Sequence, residues 1–116
     1  MMPKDQLFLL EQPFSDPAFP GQQFCCWQCS LLEGVLSAFP SCATRLDVFR
    51  IAWAKPRAAL IERLGQDHQS APVLIFDKGS PTPKSAKYAN GFAYVTDPCS
   101  ILQLLAMRHG FPVPHP

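Results

Sequence analysis

A chain of 116 residues carries one hydrophobic core but not two, and 47 % hydrophobic against 16 % charged residues describes a folded globule rather than a disordered segment. A formal net charge of +1 with no block of like charges argues against nucleic acid or an acidic membrane surface as the main partner. The first apolar run, Leu7 to Leu10 between Asp5 and Glu11, is too short for a signal peptide's hydrophobic region or a membrane span, so a reducing cytoplasm is the expected compartment.

Gln6 to Glu11 reads as a short buried strand, because the apolar run is too brief for a helix. "QPFSDPAFPG" follows with three prolines and a glycine, which predicts an extended loop without regular structure. That loop ends on Cys25, Cys26 and Cys29, three thiols within five residues. From Cys29 onward Leu31, Leu32, Val35, Leu36 and Phe39 recur at helical spacing, and Pro40 closes the helix.

"RLDVFRIAW", Arg45 to Trp53, has apolar side chains on both faces and reads as an interior strand. Pro56 suits the first turn of a second helix with a stripe of Leu60, Ile61 and Leu64, which Gly65 ends as a left-handed cap. "APVLIF" is the next strand. The polar stretch Lys78 to Asn90 reads as a long exposed loop, and "GFAYVTD" as the last strand. Asp97 and Pro98 then start a helix with Ile101, Leu102, Leu104 and Leu105 on its buried face. Arg108 and His109 meet the negative end of its dipole, Gly110 stops it, and residues 111–116 form a proline-rich surface tail.

The order strand, helix, strand, helix, strand, strand, helix predicts an α/β domain spanning residues 1–116. Its four-stranded mixed sheet has helices on both faces, with parallel pairing across each helix and the last two strands antiparallel. Trp53, Phe49 and Tyr94 are expected in the core of that sheet. Cys42 and Cys99 are read as small core residues, with a second activated thiol at a helix start the alternative for Cys99.

The cysteine cluster carries the chemistry. A helix start presents unpaired N–H groups and the positive end of the dipole, so a thiolate there is stabilised and becomes a nucleophile. A thiol three residues on lies one turn along on the same side, within disulfide reach. Cys26 would attack and Cys29 would resolve the mixed disulfide. Cys25, four residues from Cys29, is the alternative nucleophile. Trp27 is either an exposed substrate platform or folded onto Phe24. A zinc reading has three thiolates at hand, but structural zinc needs four ligands, and Cys42, Cys99 and His68 are isolated in sequence.

The C-x-x-C after the first strand, together with "SAPVLIF" (Ser70 to Phe76), resembles the thioredoxin-like superfamily with its βαβαββα order. "DPAFPGQQFCC" with "QSAPVLIF" is similar to an uncharacterised bacterial thioredoxin-like family. By that resemblance Pro72 would be cis and face Cys26, and the backbone of Ala71 would hydrogen-bond an extended thiol substrate. The implied activity is thiol–disulfide exchange on a protein or small-molecule substrate, with no bound cofactor and glutathione as a candidate co-substrate. Trp27 and Gln28 stand where thioredoxins usually have Gly-Pro and glutaredoxins Pro-Tyr. The alternatives are a binding module of the same fold without redox turnover and a glutathione-dependent transferase-like domain.

Overall fold

A computed structural model describes residues 4–116; the first three residues of the expected domain lie outside the described residues. The elements are β1 (Gln6–Leu10), α1 (Trp27–Ala38), α2 (Pro40–Ala43), β2 (Asp47–Ile51), α3 (Ala58–Leu64), β3 (Val73–Ile75), β4 (Lys87–Ala89), β5 (Phe92–Val95) and α4 (Pro98–His109). They form a mixed five-stranded sheet in the order β2-β1-β3-β5-β4, flanked by helices.

Alternation along β1 explains the two layers of helices. Leu7 and Leu9 point into a core shared with Leu32 and Leu36 of α1 and Ile101 and Leu105 of α4. Phe8, between them, points the other way, into a core with Leu60 and Leu64 of α3. Leu7, Phe8 and Leu9 are fully buried, and each contributes about 2–3 kcal/mol of transfer free energy.

The sheet has five strands, not four. The fifth, β4, lies inside the stretch read as a loop. Asn90 and Gly91 both take positive φ, 51° and 83°, the backbone of a two-residue hairpin turn. Lys87 then pairs with Tyr94 and Ala89 with Phe92. Polar Lys87 and Tyr88 are exposed, as an edge strand requires.

β1 runs parallel to β2 as expected, but β3 is antiparallel to β1 and does not pair with β2. β2 is therefore an edge strand, not an interior one. Its apolar residues answer to helix cover on both faces. Val48 meets the α1–α4 core, while Phe49 stacks on Phe8 at 4.9 Å on the α3 side. Hydropathy reports buried faces and is silent about an open hydrogen-bonding edge. β3 and β5 pair antiparallel, as the last two expected strands should.

α1 starts at Trp27, two residues before the expected start, and its buried stripe is narrow. Cys29, Leu32 and Leu36 are buried, whereas Leu31 and Phe39 are exposed. Pro40 opens the short α2 instead of ending helical structure. Pro56 lies ahead of α3 rather than in its first turn, since Arg57 is the N-cap residue, and Gly65 (φ 91°, ψ 165°) ends that helix outside the left-handed helical region. At α4 the expected ends hold. Asp97 accepts from the Ser100 N–H at 2.9 Å, and Gly110 is a left-handed cap at φ 74°. Two expectations near it fail: Cys99 is exposed rather than packed, and Phe111 is 4 % exposed, so the tail begins as a core residue.

Ahead of β1, Asp5 is fully buried at the C-terminal end of α4. Its carboxylate accepts from Arg108 Nε at 2.7 Å and Nη2 at 3.0 Å, from His109 Nε2 at 2.7 Å and from the Asp77 N–H at 2.8 Å. Arg108 also donates to the Pro81 carbonyl and Ser80 Oγ. The last-turn Arg108 and His109 thus hold a buried carboxylate rather than only facing a helix dipole. Among the described residues, no helix is long and apolar enough to cross a membrane.

Candidate active site

The loop from β1 to α1 is closed, not extended. Phe14 and Phe24 exchange backbone hydrogen bonds of 3.0 and 2.8 Å, which gathers residues 15–23 into a compact surface loop. The ring of Phe24 meets Phe14 and Phe19, and Phe14 stacks on Trp53 at 5.5 Å. This delivers the thiols to the start of α1 in a fixed pose. Cys26 is the N-cap residue, in extended conformation, and its Sγ accepts the Cys29 N–H at 3.3 Å. Gln12 anchors the same residue from β1's exit: its Oε1 accepts the Cys26 N–H at 2.6 Å and the Ser30 hydroxyl at 3.3 Å.

The two sulfurs of Cys26-Trp27-Gln28-Cys29 differ in access. Cys26 is half-buried and its S–H donates to Gln28 Oε1 at 3.5 Å, whereas Cys29 is fully buried. The Leu10 N–H donates to Cys29 Sγ at 3.5 Å, and the Cys29 N–H donates in turn to Cys26 Sγ at 3.3 Å. Burial pushes the Cys29 thiol up to about 12; the Leu10 amide opposes that rise, while Cys26 and Glu33 add to it. Cys29 is therefore a closed thiol at neutral pH. Cys25 is exposed beside Cys26.

An open groove of about 450 Å³ lies over Cys26, walled by Cys25, Cys26, Trp27, Phe14, Trp53 and Ala71, among others; fully buried Cys29 is not part of its wall. Ala71 lines the same groove as Cys25 and Cys26. Pro72 is buried behind it; the wall on that side is Ser70 and Ala71. The Ala71–Pro72 peptide bond is cis. Trp27 is 67 % exposed and does not fold onto Phe24.

Several groove residues had no signal in the sequence. Trp53 was expected in the sheet, yet it follows β2 and forms groove wall. Phe49 is half-buried under α3, and only Tyr94 is a buried sheet residue of that trio. Arg57 and Lys55 also line the groove. The Arg57 guanidinium donates to the Trp53 carbonyl at 2.9 and 2.6 Å and to the Gln69 carbonyl at 2.7 Å, tying together the two loops that flank the thiols. Burial lowers its pKa, and ionised Cys29 or Cys26 would raise it, so a fixed cation stands near the dithiol. Gln12 and Arg57 are single polar residues in loops, and only the fold brings them to the cysteines.

Cys42 is half-buried, with its S–H on the Gly110 carbonyl at 3.6 Å. Among the described residues no group of three or more His, Cys, Asp or Glu is arranged to hold a metal ion.

No curated protein and no solved structure matches this chain. A family model described as "Protein of unknown function (DUF3088)" matches residues 4–113, which takes in both the thiol cluster and the Ser70–Ala71 wall. The chain belongs to that family.

Proposed function

We propose that this protein is a thiol–disulfide oxidoreductase of thioredoxin-like fold, working in the cytoplasm through Cys26 and Cys29. The observation that carries the reading is the asymmetry of the two sulfurs at the first turn of α1. One is reachable from an open groove and receives a backbone N–H, and its neighbour is sealed as a thiol. A dithiol exchanger needs that division of labour, since the attacking sulfur must meet substrate and the resolving sulfur must not. The sheet supports the fold assignment: β1 parallel to β2, β3 antiparallel to β1, and α1 and α4 sharing one face opposite α3. All five cysteines are free, which suits a reducing compartment.

The exchange runs in two steps. Cys26 thiolate attacks one sulfur of a substrate disulfide, expelling half of the substrate as thiolate and leaving a mixed disulfide on Cys26. The Cys29 thiol then attacks the Cys26 sulfur, and its proton leaves with the second half as free thiol. The substrate gains two electrons and the protein holds a Cys26–Cys29 disulfide. Two molecules of a thiol reductant, glutathione being the candidate co-substrate, return it to the dithiol and are themselves joined as a disulfide. Trp27 and the Ala71 backbone flank the substrate chain, and Cys25 lies beside the nucleophile. The partner is a thiol or disulfide substrate, neither nucleic acid nor membrane.

Disulfide reduction measured with wild type and Cys26→Ser tests this. The variant should lose at least about a hundredfold in rate, the scale of losing a covalent nucleophile. Equal turnover in the two proteins moves the nucleophile to Cys25. No turnover in either, with peptides still bound in the groove, makes the protein a binding module.

A further inference from the structure

A second pocket abuts the thiol groove. Its volume is about 260 Å³, below the roughly 300 Å³ at which sites for drug-sized ligands begin. Ser70 lines both, so one residue forms the ridge between them. The pocket draws its polar lining from the α3–β3 loop (Asp67, His68 and Ser70), from Lys87 of β4, from Tyr94 of β5 and from Thr96 just after that strand. The loop is not free to drift. Arg57, itself in the groove wall, holds it by donating its N–H to Gln69 Oε1 at 2.8 Å and its Nη1 to the Gln69 carbonyl at 2.7 Å.

Inside, the Tyr94 hydroxyl and His68 Nδ1 form a hydrogen bond of 3.2 Å, and Ser70 and Thr96 add hydroxyls. At the rim stand one carboxylate and one ammonium, Asp67 and Lys87. Among the described residues neither has an ion-pair partner, and they do not pair with each other. Two opposite charges facing one small polar pocket complement a ligand that carries both charges on a short frame.

We propose that this pocket receives the zwitterionic α-amino-acid head of a small amino-acid disulfide whose sulfurs lie in the neighbouring groove at Cys26. Lys87 faces the ligand carboxylate, Asp67 faces its ammonium, and Ser70 marks where the side chain crosses toward the thiols. Cystine is the simplest substrate of this class, and each turnover releases two molecules of the free amino-acid thiol. The substrate assignment rests on the exchange chemistry proposed above; the pocket assignment does not.

Two measurements on the full chain separate them. The first compares reduction of L-cystine with that of hydroxyethyl disulfide, which lacks both charges. Wild type should prefer cystine, and Asp67→Asn with Lys87→Met should cut that preference ratio about tenfold, roughly threefold for each of the two exposed charges removed. The second is calorimetric binding of L-cystathionine, a redox-inert isostere of cystine with a methylene in place of one sulfur. Wild type should bind it, and the double variant, checked by circular dichroism to be folded, should bind about tenfold more weakly. Cystathionine binding that the double variant loses, with no disulfide reduced, keeps the pocket and removes the oxidoreductase. Equal reduction of both disulfides without cystathionine binding, or binding that the double variant leaves unchanged, overturns the pocket.

Discussion

Strand β1 is held at its two ends by polar contacts of opposite kinds. At its entry, Asp5 is a fully buried charge, and donors from Arg108, His109 and the Asp77 backbone surround both of its oxygens. At its exit, the Leu10 amide donates to the sulfur of Cys29, and Gln12 takes the Cys26 amide. A buried charge is tolerated only with a full set of partners. A thiol is a weak donor and acceptor, so it can be sealed with few. That difference lets one end be locked while the other leaves a sulfur at the surface.

The sharpest way to break the comparison is to remove the charge. Asp5→Ala strands Arg108 and His109 without their shared acceptor and should destabilise the fold by about 3–5 kcal/mol in urea denaturation, the usual penalty for an uncompensated buried charge. A loss below about 1 kcal/mol would mean water reaches this end as freely as the other.

At the thiol end the corresponding effect appears in alkali. Cys29 titrates at about 12 when folded, against 9.0 for an ordinary cysteine. Its folded pKa is raised, so its contribution is intact below pH 9 and is lost as pH climbs toward 12. The difference in stability between wild type and Cys29→Ala should shrink across that window by up to about 4 kcal/mol, at 1.36 kcal/mol per unit. Alkylation at pH 8 should spare Cys29 in the folded protein while modifying exposed Cys25 and Cys99.

Asp5 behaves in the reverse sense. Burial alone would raise its pKa, but donors from His109, Arg108 and the Asp77 amide outweigh burial and bring it from 3.8 down to about 2. A depressed folded value adds stability above about pH 4 that disappears as pH falls through 2. The loss should be about 2–3 kcal/mol. In Asp5→Asn the acid limb of a stability-against-pH curve should flatten by that amount.

The two ends were also unequally legible in the sequence. Cys26 and Cys29 lie within four positions of one helix start, so spacing alone picks them out and orders their exposure. Asp5, Arg108 and His109 span more than 100 positions, and each has a bland local reading, as a flanking acid and two last-turn cations. The same limit hid Arg57, Gln12 and Trp53, which meet the thiols only after β2 and the α3–β3 loop are in place. β4 is a different failure. Its hairpin signal, Asn90-Gly91, is local, but the prolines and lysines before it drew the whole stretch into a loop. β2 was misplaced because apolar faces resemble an interior strand wherever helices cover both sides.

The smallest of these effects tests whether the thiol end is as loosely tied as its chemistry implies. Gln12 is neutral and half-buried, and its Oε1 serves two donors, the Cys26 amide at 2.6 Å and the Ser30 hydroxyl at 3.3 Å. In Gln12→Ala both donors lose their acceptor at the first turn of α1, where an open groove admits water to replace it. The loss should therefore be about 1 kcal/mol, the net worth of a neutral hydrogen bond, against several for Asp5→Ala. Urea denaturation of the two variants side by side gives the ratio. A Gln12→Ala loss approaching that of Asp5→Ala would show that the Cys26 amide is sealed from solvent, and the groove would then be too closed for Cys26 to meet a disulfide.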